Sequence, residues 1–338
     1  PGVFLTQREV AGQYFENLQN STTRSDASSY ISIGLQNVIS QLYARKEIDA
    51  LISVGGSGGA ALACSAMHML PIGFPKVIVT PIASGDTSPY LQGEDILLIN
   101  TVVDIQNLNF ISEYVLRQAA GIMDAMLKIG PLEHKRRKSI AITSFGVTTP
   151  CVNRCVKLLQ AEGYEVFTFA SRGVSGGKIM EKMIREDYFT AVLDLTTSEL
   201  TDEVCGGIYS SGNIRLRGAV EKGIPYVVVP GALEMINLGP ESTILPHQRE
   251  RVLYQHSPGS VKMRATASEM GKLAELFIER LSPSTGNVRL CIPCKGFSDV
   301  DRAGKVFYDP KANEAFIKTV QYKMPPQVKV ELYDYHIN

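Results

Sequence analysis

Apolar residues in this chain come in short runs rich in Val and Ile, and most runs are followed by a longer segment whose apolar positions have helical spacing. The runs predict strands at 48–54, 75–82, 96–102, 139–145, 165–169, 190–195, 225–230, 287–292 and 327–333. The longer segments predict helices at 31–45, 58–70, 108–129, 149–162, 176–186, 199–208, 213–222, 266–281 and 310–320. Strands apolar on both sides, each followed by a helix of about ten residues or more, belong in a parallel sheet covered on both faces, because they have no solvent-facing side. The pattern predicts a doubly wound α/β protein. Residues 1–28 fit it least: an amphipathic piece at Glu9–Leu18 precedes the polar tract Asn20–Ser29, which reads as a loop. The stretch Leu238–Lys262 reads as irregular, a lid over the neighbouring strand ends. Gly130-Pro131 and the basic run His134-Lys135-Arg136-Arg137-Lys138 follow a long helix and precede a new strand. They mark a junction between a first lobe, 1–133, and a second, 139–338, with the basic run as a solvated linker.

In open α/β sheets, ligands bind outside the carboxyl ends of the strands, so the residues directly after each strand carry the chemistry. Gly55-Gly56-Ser57-Gly58-Gly59 follows the first predicted strand and opens a helix. Glycines leave no side chain between backbone and ligand, and the N–H groups of a first helical turn carry partial positive charge, so the run reads as an anion turn. It lacks the Gly-Lys-Ser/Thr ending of a Walker A loop and the spacing of the dinucleotide fingerprint, and close helix–strand packing would call for the same glycines. Ser84, Asp86 and Thr87 follow the next strand, with Asp86 either a ligand to a phosphate-bridging metal or a turn former. In the second lobe Thr148, Thr149 and Cys151 open a helix after one strand, Gly176 and Gly177 open another, and Thr196, Thr197, Glu199 and Gly231 follow the next two. Turns of this kind at successive strand ends predict a donor-lined crevice for a phosphorylated or carboxylated ligand. Cys151 at a helix start, Glu199, and His256 in the lid are the candidate acid–base or nucleophilic groups, with His247, Arg264 and Glu234 nearby.

Composition narrows the partners. Lys plus Arg and Asp plus Glu both number 34, so no net field draws the protein to nucleic acid or an anionic membrane. No run reaches the length of a membrane span and no secretion signal opens the chain, which predicts a cytoplasmic protein. Six scattered cysteines read as reduced thiols, and Cys291-Ile-Pro-Cys294 lacks the second pair that a zinc site needs.

The turns also carry a resemblance. Gly55-Gly56-Ser57-Gly58-Gly59, Leu70-Pro71-Ile72-Gly73-Phe74-Pro75-Lys76, Ala83-Ser84-Gly85-Asp86-Thr87, Phe145-Gly146-Val147-Thr148-Thr149-Pro150-Cys151, Leu193-Asp194-Leu195-Thr196-Thr197, Gly231-Ala232-Leu233 and Asn237-Leu238-Gly239-Pro240 occur in order. From about residue 40 onward the chain resembles the tomato mosaic virus resistance protein family of ATP-binding proteins. The resemblance implies two Rossmann-like lobes and ATP as ligand, with or without Mg, and a protein partner in the manner of the plant member, which inhibits a viral replication helicase. Ala60, Ala170, Glu234 and His256-Ser257 depart from the family's usual residues. The family's opening strand and its Gly-Thr-x-Asp-Thr-Lys turn do not precede Pro1, so the first sheet is expected to expose an edge and the chain to form a homo-oligomer. Two functions follow as expectations: a nucleotide- or phosphate-binding protein that acts through protein contacts, or an enzyme of racemase, lyase or hydrolase type on a small anionic metabolite.

Overall fold

The computed structural model describes residues 5–130 and 138–338, and the junction run His134–Arg137 lies outside them. The chain divides into two compact units, Pro1–Glu133 and His134–Asn338. Twelve strands are present among the described residues: β1 Leu51–Val54, β2 Lys76–Val79, β3 Leu97–Ile99, β4 Ser139–Ser144, β5 Glu165–Ala170, β6 Ala191–Thr196, β7 Tyr226–Gly231, β8 Met235–Leu238, β9 Leu253–Ser257, β10 Ser260–Arg264, β11 Val288–Pro293 and β12 Val328–Tyr333.

The first unit holds a parallel sheet in the order β1-β2-β3. Helix Ser57–Met67 connects β1 to β2 and buries Ala60, Cys64 and Met67 against Ile78 and Ile96. The tract read as a loop is instead largely helix, Arg24–Ala44. Thr23 supplies the cause, since its hydroxyl caps the amide of Asp26 and satisfies a first-turn donor. The polar residues that look like a loop are the solvated start of that helix.

The second unit is built on a parallel sheet in the order β12-β11-β7-β6-β4-β5. Every neighbouring pair is parallel, as the two-sided apolar pattern requires. Its core joins Val192, Val228 and Leu290 from the sheet to Phe277 and Phe316 from the helices Ala267–Leu281 and Pro310–Lys323. The chain runs from β4 outward to β5 and then returns to place β6 on the other side of β4, so the topology switches between β4 and β6. That is where a doubly wound sheet opens a crevice. The stretch read as an irregular lid is instead ordered: β9 and β10 form a hairpin that pairs with β8 in the order β8-β10-β9. Leu238, Val261 and Met263 are all buried, but the strands are short and antiparallel, with a register shift at Ser260/Val261, and β9 runs into β10 with no helix between them.

Candidate functional site

In the first lobe the glycine run forms a bare turn. Gly56 is the N-cap of helix Ser57–Met67 and no side chain caps that end. Among the described residues nothing in the protein accepts from the amides of Ser57, Gly58 or Gly59. A Cβ built on Gly56 or Gly59 would meet nothing within 4 Å, and one on Gly58 would lie 3.4 Å from a guanidinium nitrogen of Arg24. An exposed arginine therefore stands beside three donor amides at the positive end of an 11-residue helix. Ser84, Asp86 and Thr87 do not extend this set by their side-chain bonding. Ser84 donates to Pro81 O at 2.9 Å, and Asp86 accepts from the amide and hydroxyl of Ser88 at 3.0 and 2.6 Å, which lowers its pKa. Asp86 is thus engaged in a turn, while Thr87 precedes helix Ser88–Leu91 without capping it.

The second-lobe turns come together at the β4/β6 switch, but they bind one another. Thr148 and Thr196 are buried with their hydroxyls 2.7 Å apart, and Thr149 bonds back to Phe145 O at 3.3 Å. Thr197 is buried and donates to Val229 O at 3.3 Å. The hydroxyls of Thr148, Thr196 and Thr197, expected to face a ligand, instead tie the strand ends together, while Thr149 is exposed and bonds within its own turn. Glu199 fills the glycine-rich turn after β5: its Oε1 accepts from the amides of Gly173 and Gly177 at 2.7 and 3.0 Å. Its Oε2 accepts from Arg215 Nε at 2.6 Å. Arg215, fully buried, also forks onto Asp194 with two bonds of 2.9 Å and reaches Glu181 at 3.4 Å. Burial raises the Glu199 pKa against the pull of Arg215. The anion expected at this turn is thus the protein's own carboxylate. Gly176 and Gly231 serve close packing, since a Cβ there would lie 1.5 Å from Ala170 O and 2.0 Å from Leu195 O.

The remaining candidates separate. Cys151 packs with Ile142, Val152 and Leu195. Its amide is taken by Asn338 Oδ1 at 3.2 Å, and its hydrogen bond with Cys155, followed by burial, pushes its thiol far above the usual range. Cys151, read as a nucleophile candidate, thus keeps its proton, while the same bond pulls the neighbouring Cys155 thiol down to about 7. Arg264 is buried and committed to Phe307 O, Ala265 O and Asn313 Oδ1 at 2.8, 2.9 and 2.8 Å, so it braces the loop after β11. Glu234 is buried against Ser298, and its pKa is pushed up to about 8 by burial and by Asp301. His256, exposed on β9, lines a cleft of about 310 Å³ with Phe145, Arg172, Tyr209 and Lys262. His247 lies in the short helix Pro246–Arg249 and is not among the residues lining the cleft. No group of three His, Cys, Asp or Glu that could hold a metal is present among the described residues. Nor is any helix there long and apolar enough to cross a membrane.

Arg24, Arg215 and Lys262 are the residues that sequence reading misses. Arg24 sits in the tract read as a loop, Lys262 in the stretch read as a lid, and Arg215 in the segment 213–222 read as a helix, where it lies in the turn before helix Gly218–Lys222. A single Arg flanked by apolar residues in Ile214-Arg215-Leu216 is the one available signal.

The profile of the uncharacterised protein family UPF0261 matches both units, its N-terminal domain over residues 2–131 and its C-terminal domain over 137–338. A UPF0261 protein of Clostridium tetani is 40% identical over 321 residues, covering 94% of this chain and 79% of that protein. The ToMV susceptible protein tm-1(GCR26) and the ToMV resistance protein Tm-1(GCR237) of Solanum lycopersicum are each 38% identical over 324 residues, 93% of this chain. The chain spans 43% of the length of each tomato relative. With both family domains matched in order across the two units, the chain belongs to the UPF0261 family.

Proposed function

We propose that the protein binds a phosphate-bearing ligand, with ATP the first candidate, on the first-lobe turn Gly55–Gly59. The observation that carries this reading is a contrast. The second-lobe turn at Gly173–Gly177 is filled by the Glu199 carboxylate and the helix start at Cys151 by Asn338, whereas the first-lobe turn has no acceptor among the described residues and has Arg24 beside it. Free amides at a helix start together with a guanidinium fit a phosphoryl group. Mg would enter with the nucleotide.

A ligand held at 100 times its dissociation constant stabilises the state that binds it by about 2.7 kcal/mol. ATP should therefore raise the unfolding midpoint of the first lobe in a thermal scan. Arg24→Ala, at an exposed position, should leave the ligand-free midpoint unchanged and weaken ATP about 10- to 100-fold, the range of a charged hydrogen bond. Gly58→Val should abolish the response by crowding the turn. An unaltered ATP response in both variants would remove the site from this turn.

The first lobe also bears on partners. β1 lies at one edge of the described sheet with Ile52 and Val54 46% and 47% exposed. We propose that a second copy covers this edge, because an open apolar edge invites pairing. Sedimentation equilibrium at micromolar concentration should show a species larger than the 37.0 kDa chain, and monomer alone would refute it. The names of the tomato relatives tie them to a virus, and a protein partner is proposed here on that likeness. All six cysteines are free thiols, which suits the reducing cytoplasm proposed as the location.

A further inference from the structure

Lys262 is placed as a reactive amine. It sits on β10, the middle strand of the antiparallel sheet, 3% exposed, and faces the second-lobe cleft. Its Nζ donates to Asn237 Oδ1 at 2.5 Å, and Asn237 in turn gives its side-chain and backbone N–H groups to Asp202 at 2.9 and 2.7 Å. The nearest acid is thereby held behind an amide, and among the described residues no carboxylate lies within 4.0 Å of the lysine nitrogen. Two aromatic rings wall the amine, Phe145 at 4.9 Å and Tyr209 at 5.3 Å from their centroids. Arg172 stands over the same two rings at 5.9 and 5.8 Å, also without an ion pair among the described residues. Ser260, on the cleft wall, has a buried hydroxyl with no partner among the described residues.

Lys262, buried with no carboxylate in contact among the described residues, favours an anion in the cleft, and the exposed Arg172 on the same wall adds a second positive group. They differ in what they can do. Arg172 cannot lose its proton and offers a fork that fits a carboxylate. Burial pulls the Lys262 pKa down to about 8, with Asp202 pulling it up and Arg172 down, so a share of the amine is neutral near pH 7.5. An amine in such surroundings adds to carbonyl carbon.

We propose that the second-lobe cleft takes a small oxo-carboxylate, with its carboxylate on Arg172 and its carbonyl carbon joined to Lys262 as an imine. The lysine nitrogen forms the C=N bond, the carbonyl C–O bond breaks, and the oxygen leaves as water with the two protons of the neutral amine. The overall step involves no change of oxidation state. The cleft is lined by residues of the second unit, and the turn proposed for ATP belongs to the first.

Pyruvate followed by sodium borohydride, with intact-mass and peptide analysis, provides the test. One adduct on the peptide that carries Lys262 is expected, unaffected by ATP. Lys262→Met should remove it. Arg172→Ala, at an exposed position that leaves folding intact, should lower the yield at least tenfold, and acetone, a carbonyl without a carboxylate, should give at least tenfold less adduct than pyruvate on the native chain. No adduct, or adducts spread over exposed lysines and equal in Lys262→Met, would overturn the proposal. An equal yield from acetone or from Arg172→Ala would overturn the role of Arg172 and with it the oxo-carboxylate class.

Discussion

Replacing Arg215 with Ala should cost the second lobe about 3–5 kcal/mol, the usual loss when one partner of a buried ion pair is removed. The guanidinium is fully buried and bonds to Asp194 and Glu199, both fully buried, and to Glu181, which is nearly so. Without it Asp194 keeps only Thr143 and Tyr226, Glu199 keeps only two glycine amides, and Glu181 keeps the Gly218 amide and a single, partly exposed cation, Arg185 at 3.6 Å. A domain with a total of about 5–15 kcal/mol has little left after such a loss. Burial already raises Glu181 and Glu199 above their ordinary range in the native protein. A carboxyl raised in the folded state favours folding below its unfolded pKa, and that contribution is lost as pH rises through the folded value. Without the guanidinium those folded values rise further, so the defect should deepen as pH rises from the ordinary carboxyl range, about 4–5, toward neutrality. Urea unfolding across that range measures it. Arg217→Ala removes a half-exposed pair with Glu279 and is the control, expected to cost less than about 1 kcal/mol. A similar small cost for Arg215→Ala would mean that the cluster does not hold the strand ends together.

This cluster also shows where sequence reading stopped. The parallel sheet of the second lobe was legible because its strands are largely apolar runs and most of them lead into a helix, and the turns were legible because Gly, Thr and Ser punctuate them. What the turns hold was not. A glycine-rich helix start has one composition whether it awaits a phosphate or encloses a carboxylate from the next strand end, and only the placement of Glu199 beside Gly173 and Gly177 distinguishes the two. Thr148 and Thr196 are 48 residues apart and meet only because β4 and β6 are neighbours at the switch. The hairpin β9–β10 stayed hidden because its five-residue strands mix polar and apolar residues and join each other with no helix between them, and Lys262, which faces the cleft, was hidden with it. The helix Arg24–Ala44 was missed at its polar start, which concealed the cation beside the glycine turn.

Glycine substitutions separate packing from ligand binding most sharply, with opposite signs expected at two positions of the second lobe. At Gly176 an added Cβ would sit 1.5 Å from the oxygen and 2.7 Å from the carbon of Ala170. Both are backbone atoms at the end of β5, so no side chain can swing aside. Gly176→Ala must push the turn away from the sheet, and the turn carries the Gly173 and Gly177 amides that hold Glu199 against Arg215. Strain and the loosened carboxylate act together, and the expected loss is about 3 kcal/mol, at the upper end for overpacking. Gly271 lies inside helix Ala267–Leu281, where an added Cβ meets nothing within 4 Å. Gly271→Ala should stabilise by about 0.5–1 kcal/mol, since alanine restricts the unfolded chain and favours helix. Urea midpoints of the two variants against the parent give both signs in one series. A phosphate-binding Gly176 would tolerate alanine in the ligand-free protein and lose only ligand affinity. An unchanged midpoint would therefore restore it as a ligand contact, while a large fall leaves the first-lobe turn as the glycine run open to a phosphate.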